Sequence, residues 1–166
     1  MTKRERKYRE LEAKMRPYAA RIFDGGRFEE MDKNIQHGKT TTKEHAMNVA
    51  NLSVKLGDIL GIEYSKGELV RGALLHDYFL YDWHERASEE NGRPKTFHGF
   101  LHPGIALKNA EEDFNLSKRE REIIRKHMWP LTLTRVPRCR EAWLVVAADK
   151  AAAISEFFTD KFRREK

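Results

Sequence analysis

Asp149 stands where a helix should be greasy, and that placement constrains the fold more than any other feature of the chain. Val145 and Val146 precede it by four and three residues, and Ala152 and Ala153 follow it by three and four. On an α-helix these positions share one face, so the spacing predicts a carboxylate turned into an apolar core. Burying an unpaired carboxylate costs on the order of several kcal/mol, so a cation must meet it. Lys150 is adjacent, but neighbouring helix residues point about 100° apart. That leaves a metal ion, or a cation brought from another element.

The same anomaly recurs along the chain. His45 precedes Val49 and Leu52 at i+4 and i+7, in a stripe continued by Leu56 and Ile59. Leu69, Val70, Ala73 and Leu74 lead up to the pair His76-Asp77, and His127 follows Ile123 and Ile124. His102-Pro103 is predicted to open a further helix, with Ile105, Ala106, Leu107 and Ala110 behind it, because proline at the first helical position needs no amide partner. A single histidine on an apolar face is ordinarily a hydrogen-bonded core residue. Histidines repeated in such contexts, beside two buried aspartates, are accounted for together if divalent cations gather them. Imidazole with carboxylate suits Mn, Fe, Co, Ni or Zn. His45, His76, Asp77 and Asp149 could share one ion. His102 and His127 could hold a second, with Asp77 bridging through its two oxygens, or could contact substrate beside a single ion. Either arrangement leaves open coordination positions, as catalysis needs.

The rest of the pattern is helical. Thr2 to about Phe23 reads as a charged helix with Leu11, Met15, Tyr18, Ala19 and Ile22 on its apolar face, broken by Asp24-Gly25-Gly26. A short helical piece is expected over Arg27–Asn34, then a loop through QHGKTTT. Thr41 or Thr42 caps a helix that Gly61 ends, and Lys66 to Asp77 forms the next. Tyr78 to Phe100 reads as irregular. Ser117 with Glu120 makes a capping box for the helix ending near His127. The last helix, about Arg138 to Phe158, carries Trp143, Val146, Ala147, Ala153, Ile154, Phe157 and Phe158 as a wide apolar face. Strand-like alternation is confined to TLTRV, too short and too close to Pro137 to count. The expected class is therefore all-α. A chain of 166 residues with 40% hydrophobic content suits one core.

The net charge of +6 sits largely at the ends, in KRERKYR and KFRREK. No zinc-finger, RNP, GXXG or basic-zipper pattern accompanies it, so sequence-specific nucleic-acid binding is not expected, and the charge favours small anionic substrates. Cys139, the only cysteine, cannot form an internal disulfide and is read as structural. With no apolar run long enough to span a bilayer and no secretory pattern at the start, a cytoplasmic protein without a membrane partner is expected.

Taken in order, His45 in EHAMNVANLS, His76 and Asp77 in GALLHDYFL, and Asp149 in VVAADKAAA resemble the HD-domain metal-dependent phosphohydrolase superfamily. His102 in HPGIALKNA and His127 in IIRKHMWP resemble its two-metal branch, which includes cyclic-dinucleotide phosphodiesterases. The resemblance covers roughly Gly38 to Phe158 and extends to a bacterial group of small HD-domain proteins with QHG, LLHDYFLYDWH and HMWPL segments. It implies a compact helical HD-domain bundle over residues 37–160, with residues 1–36 as a helical extension packed on it and 161–166 as a basic tail. It also implies divalent ions, two of them, drawn from Fe, Mn, Co, Ni, Zn or Mg. The activity implied is cleavage of a phosphoester in a small anionic substrate, nucleotides among the candidates, by a hydroxide bridging the ions.

Departures narrow the substrate. Tyr78-Phe79 follows the doublet where many relatives have Ile-Gly-Lys. MWPLT follows His127 where the cyclic-dinucleotide enzymes show a second His, an acidic residue and GYP, which argues against that substrate. The extra histidines argue against the single-metal alarmone hydrolases. Around the ligands, Asp77 holds the ions together, and Lys150 either reaches a phosphate or pairs with a carboxylate. His37 and His84 are candidate proton donors to the leaving group. Tyr78, Tyr81 and Trp83 either stack on a base or pack as a lid. Two rival readings use the same ligands: a di-iron oxygenase, and a non-catalytic helical protein that the metal stabilises.

Overall fold

Reciprocal capping boxes start three of the helices: Thr2 with Glu5, Thr41 with Glu44 and Ser117 with Glu120. The computed structural model describes residues 1–80 and 96–164. The side chains of His37, of residues 96–99 and of residues 160–164 are not among those described. The helices are α1 (Lys3–Asp24), α2 (Thr42–Ile59), α3 (Lys66–Leu75), α4 (Thr96–Asp113), α5 (Lys118–Lys126) and α6 (Arg140–Arg164). A 3-10 turn over Phe28–Lys33 leads into a small antiparallel hairpin, β1 (Ile35–His37) with β2 (Thr40–Thr41). The molecule is thus an almost entirely helical bundle, and among the described residues no helix is long and apolar enough to cross a membrane.

Helices α2, α3 and α6 form the centre. α3 and α6 pack on α2, α5 lies against α3, and α1 crosses α3 and α2. Met47, Val49, Leu69, Leu74, Leu75, Ile123 and Ile124 are fully buried there. Gly72 lets α3 and α5 approach closely, since a Cβ on it would lie 2.6 Å from Ile123 Cδ1. That approach brings the two helix C-caps, His76 and His127, side by side with ring centroids 4.8 Å apart.

The structure corrects several expectations. QHGKTTT is a hairpin rather than a loop. Gly38 takes a left-handed φ of 59° at its turn, and strands this short leave no alternation to read. His102-Pro103 does not open a helix. α4 begins at Thr96 and carries Pro103 inside it, which shortens the expected irregular stretch. The expectation that TLTRV forms no strand holds, since it is turn and coil. The wide apolar face assigned to α6 is also wrong in part: Trp143, Ile154, Phe157 and Phe158 are exposed. α6 lies close against α2, so its smaller face, Ala142, Val145, Ala148 and Ala152, turns inward instead. Ile59 likewise projects from the last turn of α2, 80% exposed, and Tyr18 on α1 is exposed too. Tyr81, Trp83 and His84 lie outside the described residues.

Gly72→Ala should force α3 away from Ile123 and destabilise the fold by about 1–3 kcal/mol, the usual cost of overpacking a core. Urea denaturation measures it, and unchanged stability would contradict the close approach described above.

Candidate metal centre

Five helices deliver the side chains of the centre. His45 comes from the first turn of α2, and His76 caps α3 with Asp77 just beyond it. His102 lies within α4, His127 caps α5 and Asp149 sits inside α6. Tyr78 then pins the chain after the doublet. Its hydroxyl donates to Asp113 Oδ2 at 2.7 Å and accepts the Arg27 amide at 2.7 Å, while Arg27 Nε bonds Asp113 at 2.9 Å. Tyr78 is fully buried in this role, so it is not a surface for stacking a base.

Asp77 faces two ways. Its Oδ2 lies 3.3 Å from His76 Nε2 and 3.9 Å from His45 Nε2. Its Oδ1 lies 3.2 Å from His102 Nε2 and 3.3 Å from His127 Nε2. Asp149 Oδ1 completes the first side, 3.1 Å from His45 Nε2 and 3.8 Å from His76 Nε2. The four histidines and Asp77 are buried, and the Asp149 side chain is 13% exposed. The sequence-derived set of six therefore converges on one point.

Ring orientation follows from helix ends. His76 Nδ1 donates to Ala73 O at 2.7 Å, and His127 Nδ1 donates to Ile124 O at 2.8 Å. A carbonyl only accepts, so each ring keeps a proton on Nδ1 and turns Nε2 to the centre. His102 Nε2 and His127 Nε2 stand 2.8 Å apart.

Charge is balanced within the cluster. Burial lowers the His45 imidazole, but Asp149 and Glu156 outweigh it and push it up to about 9. Burial also opposes charge on His76, where Asp77 and Asp149 win and hold it well above its usual value. Burial would raise Asp77, yet His76, His102 and His127 hold it well below the ordinary carboxylate range. Asp149 is held down in the same way by His45 and His76, and burial pushes His127 down. Both carboxylates are thus ionised. A divalent ion entering here displaces imidazole protons.

The donor set fits such ions. Two groups have their ligand atoms within 4.8 Å of one another, His45 with His76 and Asp149, and His76 with Asp77 and His127. His76 belongs to both groups. His76 Nε2 and Asp77 Oδ1 are buried polar atoms with no hydrogen-bond partner, a costly state that a shared cation relieves.

Lys150 does not point away, as the helix geometry suggested. Its long side chain curls back so that Nζ donates to His127 O at 3.2 Å and stands 3.6 Å from Asp149 Oδ2. His37 ends β1, and its side chain lies outside those described. Cys139 is half-buried, and burial pushes its thiol up, in keeping with a structural residue. Two partners of the centre escaped the sequence reading. Gln36 Nε2 donates to Asp77 Oδ2 at 2.9 Å from the hairpin, where no period marks it. Glu156 Oε2 lies 2.9 Å from His45 Nδ1. It follows Asp149 by seven residues, two helical turns on the same face, and that spacing was available as a signal.

Buried imidazoles and carboxylates delivered by five helices thus form two overlapping clusters able to hold divalent metal ions within a helical bundle. The chain belongs to the HD domain family, whose match spans residues 42–154, more than half of its length. It accordingly has the fold of the metal-dependent phosphohydrolase superfamily that its motifs resemble, with candidate binuclear clusters. No curated protein and no solved structure matches it.

Asp77→Ala should lose both ions, since one carboxylate serves both sides, whereas His127→Ala should lose one. Metal analysis after dialysis of each variant reads the stoichiometry. Two ions retained by Asp77→Ala would refute the shared carboxylate.

Proposed function

We propose that the protein hydrolyses a phosphoester of a small anionic substrate, nucleotides included, at two divalent ions. One ion is assigned to His45, His76 and Asp149 and the other to His102 and His127, with Asp77 between them. The observation that carries this reading is the two-faced Asp77, whose oxygens address separate sets of imidazoles. Bound divalent ions supply Lewis-acid charge for a phosphoryl group and lower the pKa of water toward neutrality.

The protein's own groups do the rest. The backbone carbonyls of Ala73 and Ile124 hold two rings so that Nε2 faces inward. Gln36 steadies Asp77 from the hairpin. Asp149 is the most open of the six, and beside it the Lys150 side chain is 41% exposed. Substrate is therefore drawn to that edge, where Lys150 places a positive charge against an incoming phosphate. The leaving oxygen needs a proton, and His37 and His84 keep their assignment as candidate donors on the strength of their sequence positions.

A panel of nucleotides and phosphomonoesters assayed with Mn, Co, Ni and Mg tests the proposal. Phosphate release should require added metal, vanish with chelator and vanish in Asp77→Ala. Protein loaded with both ions that turns over no phosphoester, and instead consumes oxygen when the metal is iron, would overturn it in favour of oxygenase chemistry.

A further inference from the structure

His45 differs from the other oriented histidines in what lies behind it. His76 and His127 sit at helix C-caps, where the carbonyls of the last turn lack intrahelical amide partners and are free to accept a ring proton. His45 sits in the first turn of α2, where the unsatisfied backbone groups are amides rather than carbonyls. The ring therefore needs an acceptor from another element, and Glu156 of α6 stands there, with Oε2 2.9 Å from His45 Nδ1.

We infer that Glu156 is a positioning residue for the metal centre, fixing the ring of His45 so that Nε2 faces the ions, and that the N-terminal helix braces it. The inference rests on the two-ion reading proposed above. A carboxylate accepts the Nδ1 proton and so reserves Nε2, which stands 3.1 Å from Asp149 Oδ1, for a cation that would displace its proton. Its negative charge also strengthens the imidazole as a donor toward a cation. The Glu156 side chain is only 8% exposed, so the contact is shielded from water. Its second oxygen is held as well. Asn48 Nδ2 donates to Glu156 Oε1 at 2.8 Å and to Tyr8 OH at 3.1 Å, and Lys7 Nζ donates to Asn48 Oδ1 at 2.9 Å. Lys7 and Tyr8 come from α1, and both α1 and Glu156 fall outside the stretch that matches the HD domain. Glu156, Lys7 and Tyr8 thus come from the parts of this chain that flank the matched domain, joined through Asn48 inside it, and the brace acts on the His45 side of Asp77 alone.

The test is a Co(II) titration of metal-free wild type, Glu156→Gln, Glu156→Ala and Asn48→Ala against a competing chelator, reading the affinity of each ion and the visible Co(II) spectrum. Glu156→Ala should weaken one of the two ions by about 10–100-fold, as loss of a supporting carboxylate usually does, and leave the other unchanged. Glu156→Gln keeps the size and one acceptor oxygen, so it should lose less affinity while still shifting the Co(II) bands. Asn48→Ala should weaken the same ion to a smaller degree. Wild-type affinities and spectrum in Glu156→Gln and Glu156→Ala would overturn the inference. So would equal weakening of both ions together with a lower Tm of the metal-free protein, which marks a merely structural residue. If Glu156→Ala fails to fold, Glu156→Gln decides the matter alone. A wild-type protein that takes up no ion would instead refute the underlying two-ion reading.

Discussion

Asp77 carries a negative charge into the middle of a helical bundle, and much of the bundle is arranged around tolerating it. Burial would raise its pKa and neutralise it, yet the imidazoles of His76, His102 and His127 keep it ionised. A carboxylate that is 2% exposed has no water to fall back on. Every group near it must therefore either neutralise it or share a cation with it. Asp77 Oδ1 and His76 Nε2 have ionisable neighbours but no hydrogen-bond partner, so hydrogen bonds alone do not finish the task.

The helix ends explain how the imidazoles come to be there in usable form. Placing His76 and His127 as C-caps gives each ring a carbonyl to hold and turns its other nitrogen inward. Gly72 makes that juxtaposition possible, because α3 and α5 meet over a missing side chain. The buried Tyr78, bonded to the half-buried Arg27 and Asp113, then locks the chain leaving the doublet. Packing, capping and ligand placement are one design here: disturbing the close contact of two helices also disturbs two rings of the centre.

The centre was legible in the sequence because polar residues in apolar helical periods stand out. Asp149 between valines and alanines, and His45 ahead of Val49, announced their burial by spacing alone. Other features were not legible for physical reasons. The hairpin that brings Gln36 to Asp77 is too short to show alternation. Pro103 looked like a helix start because proline is favoured there, but α4 accepts the loss of one amide within its length. α6 carries two apolar stripes, and only contact with α2 decides which one is buried. The sequence leaves Tyr78 open between stacking on a base and packing, and its burial with the hydroxyl bonded to Arg27 and Asp113 decides for packing.

The most direct measurement is a crystal structure of manganese-loaded protein with anomalous scattering collected at the metal edge. The account predicts two peaks flanking the Asp77 carboxylate, one touching His45, His76 and Asp149 and the other touching His102 and His127. A single peak away from Asp77, or an Asp77 side chain turned from both groups of histidines, would contradict it.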